Sequence, residues 1–132
     1  MTTFITKLTR IVLLTLALLA PVPALADTVA ATGTFTGASD HITTGGVSII
    51  KTAGGGAVVI LDKDFSLDGA PDPRVGFGVD GKYVDASDLG VLTSKDGLQV
   101  YVVPASVNVD DFNEVYIWCR KFSVPLGVAA LK

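Results

Sequence analysis

The stretch Val115–Phe122 reads VYIWCRKF, and its reading decides the fold. Its first five residues are β-branched or aromatic side chains ending in a cysteine, a composition that suits a pleated, half-buried strand. Successive side chains of a strand point to opposite faces. That places Val115, Ile117 and Cys119 on one side and Tyr116, Trp118 and Arg120 on the other. The segment holds the only cysteine and the only tryptophan of 132 residues, and two cations of a chain whose formal net charge is −3. One thiol is thus fixed in an aromatic-rich strand with Arg120 and Lys121 just beyond it. Cations beside a thiol favour its thiolate and burial opposes it, so the role of Cys119 turns on where those charges go.

Working outward, turn signals recur every 8 to 12 residues with short β-branched runs between them, the pattern of an all-β sandwich or a partly open barrel. Thr32–Thr36 starts the sheet, and a polar loop carrying His41 follows it. Val47–Thr52 and Ala57–Leu61 flank a glycine-rich turn, the second run apolar enough to be buried on both faces. Asp62–Arg74 is acidic and holds two prolines, which rules out a central strand. Val75–Val79 is a short strand turned by Asp80-Gly81. Tyr83–Gly90 reads as a loop or one helical turn with Ser87 as a cap. Ser94–Gly97 reads as a hairpin turn before the strand Leu98–Val103, and Val109–Phe112 as a loop. Phe122–Leu131 closes the chain as a strand, with Pro125 marking an edge or a bulge. No repeat or linker interrupts the pattern, so one antiparallel β domain is expected.

At the amino end, Lys7 and Arg10 precede the uncharged run Ile11–Ala20, and Ala24-Leu25-Ala26 supplies a small-x-small cleavage pattern. The run is about half of the roughly 20 residues a spanning helix needs. Residues 1–26 therefore read as a cleaved signal peptide and 27–132 as the mature domain, exported to a periplasm or secreted, with no stable membrane anchor. Without Lys7 and Arg10, eight basic side chains face thirteen acidic ones, a net charge of −5. That disfavours nucleic acid, which needs a basic surface. The mature part keeps one cysteine and one histidine. This count excludes an internal disulfide, a Cys-x-x-Cys redox pair and a Cys/His zinc site.

Three motifs remain. Gly76-Phe77-Gly78-Val79-Asp80-Gly81 has the spacing of a dinucleotide fingerprint, but prolines precede it and no amphipathic helix follows, so its glycines read as turn and crowded-strand positions. Asp62, Asp64, Asp68 and Asp72 form an acidic loop that could offer oxygens to calcium, though without EF-hand spacing. His41 and Cys119 are the two side chains able to act as base, nucleophile or ligand.

Together the pieces resemble a known family. VYIWCRKFSVPLGVAAL (Val115–Leu131) is similar to the end of the DM-thirteen domain, the electron-transfer module also found in Skeletor-type proteins. Gly33-x-Phe35 to His41 and Gly46-x-x-x-Ile50 resemble its opening, LDKDFSLDGAPDPRVGF (Leu61–Phe77) its middle, and LGVLTSKDGLQVYVVP (Leu89–Pro104) its later strands. The resemblance implies an all-β fold and a redox role centred on Cys119, as a bare thiol or as a ligand to a group such as haem. His41 is then its candidate partner, and Trp118, Tyr116 and Phe122 shield and position the thiol. A lone thiol needs a second sulfur for two-electron chemistry, so a cofactor or a protein redox partner is implied. The rival reading is a non-catalytic binding or structural module for protein, sugar or calcium, with Cys119 in its core. No stand-alone enzyme is expected.

Overall fold

The computed structural model describes residues 26–132, together with positions 17, 20 and 21. But for those positions, the leader read at residues 1–26 lies outside the described residues. No described helix is long and apolar enough to cross a membrane. The chain forms β1 (Thr28–Gly37), β2 (Thr43–Thr44), β3 (Gly46–Lys51), β4 (Ala57–Leu61), β5 (Ser66–Leu67) and β6 (Pro73–Val79). It continues with β7 (Lys82–Tyr83), β8 (Gly90–Val91), β9 (Gln99–Val103), β10 (Glu114–Cys119) and β11 (Val124–Ala130). Short 3₁₀ turns occupy Asp85–Ser87 and Val109–Asp111.

Every strand pairing is antiparallel, and the main sheet runs β7-β6-β10-β11-β1-β3-β4-β9, with β8 also on β6. The long strand β1 makes one curled sheet out of two layers. Its first part, Thr28–Thr34, pairs with β3, while Phe35–Gly37 pairs with β11. A register break between Val29 and Ala31 adds to the bend. The result is the all-β antiparallel fold expected as a sandwich or partly open barrel, here one curled sheet forming a half-barrel over one apolar core.

Strand alternation fills that core. Val47 and Ile49 of β3, Val59 and Leu61 of β4, Val75 and Phe77 of β6, and Val115, Ile117 and Cys119 of β10 all point inward and are buried. Burying one aliphatic or aromatic side chain of this size stabilises by about 1.5–3 kcal/mol relative to exposure, so this alternation is what selects the register. Phe35 and Phe65 meet edge to face at 5.5 Å, and Phe77 stacks on Phe112 at 5.0 Å.

Several local expectations change. β4 is not buried on both faces: Val58 and Ile60 are half-buried beside exposed Val100 and Val102 of β9, and the same face continues to exposed Val29. Ser94–Gly97 does not close a hairpin, because β8 pairs with β6 while β9 pairs with β4. Val109–Phe112 contains a 3₁₀ turn capped by the Asn108 side chain, which accepts from the Asp110 amide at 3.0 Å. Pro125 does sit at a bulge, where the register shifts between Ile117 and Trp118, but β11 is an interior strand. Ser87 does not cap its turn. Its hydroxyl accepts from the Phe77 amide at 2.8 Å, pinning the turn to β6, and its one proton is shared between the carbonyl oxygens of Val84 at 2.6 Å and Phe77 at 3.0 Å.

Candidate functional site

Cys119 is the last residue of β10, paired with Pro73 on one side and Val124 on the other. It is 1% exposed and belongs to the core. The chain turns immediately after it through Arg120–Ser123, where Ser123 takes a left-handed φ of 52°. The two cations that could have bathed the thiol have other partners. Arg120 Nε donates to Asp72 at 3.1 Å, and its backbone amide donates to the Asp72 carbonyl. Lys121 Nζ lies 5.5 Å from the centre of the Phe122 ring. Phe122 is 62% exposed, so it does not shield the thiol. Nor do Tyr116 and Trp118, which leave β10 on the opposite face.

His41 stands in the loop between β1 and β2, which turns through left-handed residues Ser39 and Asp40 at φ 54° and 62°. Its ring Nδ1 donates to Asp68 at 2.9 Å. That bond is the first cause holding the Asp68 carboxyl below its usual range, the Ile42 backbone being the next. Among the described residues, no hydrogen bond joins His41 to Cys119. They lie toward one end of the sheet, since the His41 loop hangs on Leu126 through Ala38 and Thr43 while Cys119 pairs with Val124, but the thiol points inward and the imidazole outward.

The acidic loop explains that arrangement. Its carboxylates do not converge. Asp64 accepts from the Gly46 amide at 2.9 Å, Asp68 takes His41, and Asp72 takes Arg120. Among the described residues no group of three or more His, Cys, Asp or Glu side chains is placed to hold a metal ion. The loop ties the β1–β2 loop, β3 and the β10–β11 turn to one another. A haem does not fit the two side chains offered for it. Cys119 is sealed in close-packed core, His41 is engaged by Asp68 on the rim, and the clefts of about 550, 440 and 220 Å³ border neither residue.

The outer face of β10 carries a second, unexpected cluster. Trp118 stacks on Tyr83 with ring centres 4.4 Å apart and planes 10° from parallel, and Tyr116 closes on both at 5.7 and 6.4 Å. Gly76 and Gly78 of β6 form its floor: a methyl group at Gly76 would strike the Tyr83 ring, and one at Gly78 the Tyr116 ring. At the cluster's edge, Arg74 grips Asp88 with two parallel bonds of 3.0 and 3.1 Å. Burial alone would raise the Asp88 carboxyl, but the Arg74 and Gly90 hydrogen bonds outweigh it and hold it below its usual value. Tyr83 is pushed far up, first by burial and then by the charges of Asp88 and Asp85. Asp88 is close enough to act on Tyr83 electrostatically, but the buried phenol oxygen makes no hydrogen bond of good geometry. Sequence reading missed this site. Its signal was two glycines alternating in a strand, which leave room for rings from neighbouring strands.

Comparison with protein-family models matches residues 34–131 to "Electron transfer DM13". The chain belongs to the DM13 electron-transfer domain family. The match runs from within β1 to just past the end of β11. Comparison with curated proteins and comparison with solved structures found no match.

Proposed function

We propose that this chain is an exported DM13 electron-transfer domain that exchanges electrons with a protein partner docked at the Arg120–Ser123 turn, with Cys119 as the exchanging thiol. The observation that carries the reading is the family match over a domain whose one sulfur lies directly beneath an exposed turn. The exposed Phe122 beside Lys121 offers a partner an apolar and cationic foothold at the same place. Export follows from the leader pattern, with cleavage leaving Asp27–Lys132.

The chemistry needs a second sulfur, and the partner supplies it. The Cys119 sulfur attacks one sulfur of a partner disulfide, forming a mixed disulfide. The other partner sulfur leaves and takes up the proton that Cys119 gives up. A dithiol protein completes the transfer: its first thiol attacks the Cys119 sulfur and releases the first partner as a dithiol, then its second thiol attacks the first, releasing Cys119 as a thiol and leaving the donor as a disulfide, each attacking thiol passing its proton to the sulfur that leaves. Because the thiol is buried, the turn must open locally before attack, a subglobal event of the kind that loops at strand ends undergo.

A specific observation favours the rival reading, a binding module: the thiol's near-complete burial is that of a core residue. Intact-mass spectrometry of protein exported with its own leader, quenched with an alkylating agent, separates the two. The proposal expects the mass of Asp27–Lys132 with a fraction in mixed disulfide, and no adduct in Cys119→Ser. A retained leader overturns export. A thiol that stays reduced in the native state when challenged with excess disulfide overturns the exchange role.

A further inference from the structure

We propose that the Trp118–Tyr83 stack is a one-electron relay, the place where an outer-sphere one-electron oxidant draws an electron from this domain. This goes beyond thiol exchange. It rests on the family's electron-transfer role but not on Cys119.

Four observations converge on it. The rings overlap nearly parallel at 4.4 Å, the geometry that couples two π-systems most directly. Trp118 and Tyr83 are both partly exposed while Tyr116 is buried, so the stacked pair is the cluster's outlet to the surface. The stack is built in, with Gly76 and Gly78 giving up side chains to seat Tyr83 and Tyr116. The carboxylates of Asp88 and Asp85 act on the Tyr83 side of the stack, and negative charge there stabilises a positive hole, Arg74 opposing in part.

The electron count closes without a bound cofactor. The oxidant gains one electron and Trp118 loses it from the indole π-system, giving a radical cation. The indole Nε1 proton then passes to water, leaving a neutral indolyl radical. One electron from a one-electron reductant of the ascorbate or quinol class, with one proton from water, restores Trp118. Tyr83 polarises the hole more than it traps it. An oxidised phenol must shed its proton, the buried Tyr83 hydroxyl makes no hydrogen bond of good geometry, and the oxygens of nearby Asp88 are already taken by Arg74 and the Gly90 amide.

The test is flash photolysis of the mature protein with tris(bipyridine)ruthenium(II) and a cobalt(III) ammine as electron acceptor, followed by transient absorption. The expected result is an indolyl radical as the first protein product. W118F abolishes that signal and slows reduction of the ruthenium(III), while circular dichroism stays native. Y83L keeps the indole and shortens the radical's lifetime. C119S leaves yield and lifetime unchanged. Wild-type reduction rates in W118F, a tyrosyl radical as the first wild-type product, an unchanged lifetime in Y83L, or loss of the signal in C119S would each overturn the relay. An intact indolyl signal beside failed thiol exchange would sink the Cys119 reading alone.

Discussion

The two faces of β10 are one residue apart in sequence and opposite in character. Inward, Val115, Ile117 and Cys119 complete a dry core, and the thiol has no charged neighbour drawn to it. Outward, Tyr116 and Trp118 build an aromatic layer with Tyr83 over two glycines, edged by the Arg74–Asp88 pair. The comparison teaches that side-chain alternation assigns access as well as burial. In the motif Trp118-Cys119, the residue with the more reactive atom is sealed, and the residue beside it reaches the surface.

Breaking the inner face should cost most. Ile117→Ala removes a fully buried side chain between β6 and β11 and should destabilise by about 2–5 kcal/mol in urea unfolding. On the outer face, Gly76→Ala places a methyl group against the Tyr83 ring and should cost about 1–3 kcal/mol, with the near-ultraviolet circular dichroism of the aromatic cluster altered. Gly76→Ala with Tyr83→Ala should recover part of that loss, since the clash is then gone. Asp72→Ala releases the Arg120 side chain from an ion pair in which Arg120 is mostly exposed although Asp72 is only partly so. Such pairs are worth about 0.2–1 kcal/mol, so the turn should open up to about fivefold more often and Cys119 should label correspondingly faster.

Smallest is the pH response at the rim. The Asp68 carboxyl is held below its usual value in the fold, chiefly by His41. Its contribution is therefore fully present above the unfolded carboxyl's pKa and is lost as pH falls through the lower folded value. His41→Ala should be slightly less stable than wild type at neutral pH, and the two unfolding curves should converge in acid. An undiminished difference in acid would show that His41 acts through packing instead of through Asp68.

Much of the fold could be read before the structure. The alternation in VYIWC placed its residues on the faces they occupy, and the turn glycines and Asp80-Gly81 marked real reversals, the latter with φ of 51° and 85°. Pairing between distant strands could not be read. Ser94–Gly97 has the residues of a hairpin turn, but β9 gains more by laying Tyr101 and Val103 against β4, a contact that no local pattern encodes. The site was legible only in part. Cys119 stood out by being single, while the destinations of Arg120 and Lys121 depended on Asp72 and Phe122 in space. Four aspartates looked like one acidic cluster, yet three of them serve three different partners. Gly76 and Gly78 carried the trace of the aromatic layer, but glycine spacing alone does not say which ring fills the gap.

Cys119 is sealed by the fold, and the proposed exchange reaches it through opening of the Arg120–Ser123 turn. The direct measurement is the rate at which an aromatic disulfide labels Cys119 in the folded protein as urea is raised from zero. Labelling should be slow and hardly change at low urea, because local opening exposes little surface, and should steepen only near the unfolding transition. Labelling at the rate of a free thiol would contradict the seal. Labelling that follows the full urea dependence of global unfolding from the start would contradict the opening turn and leave Cys119 a core residue.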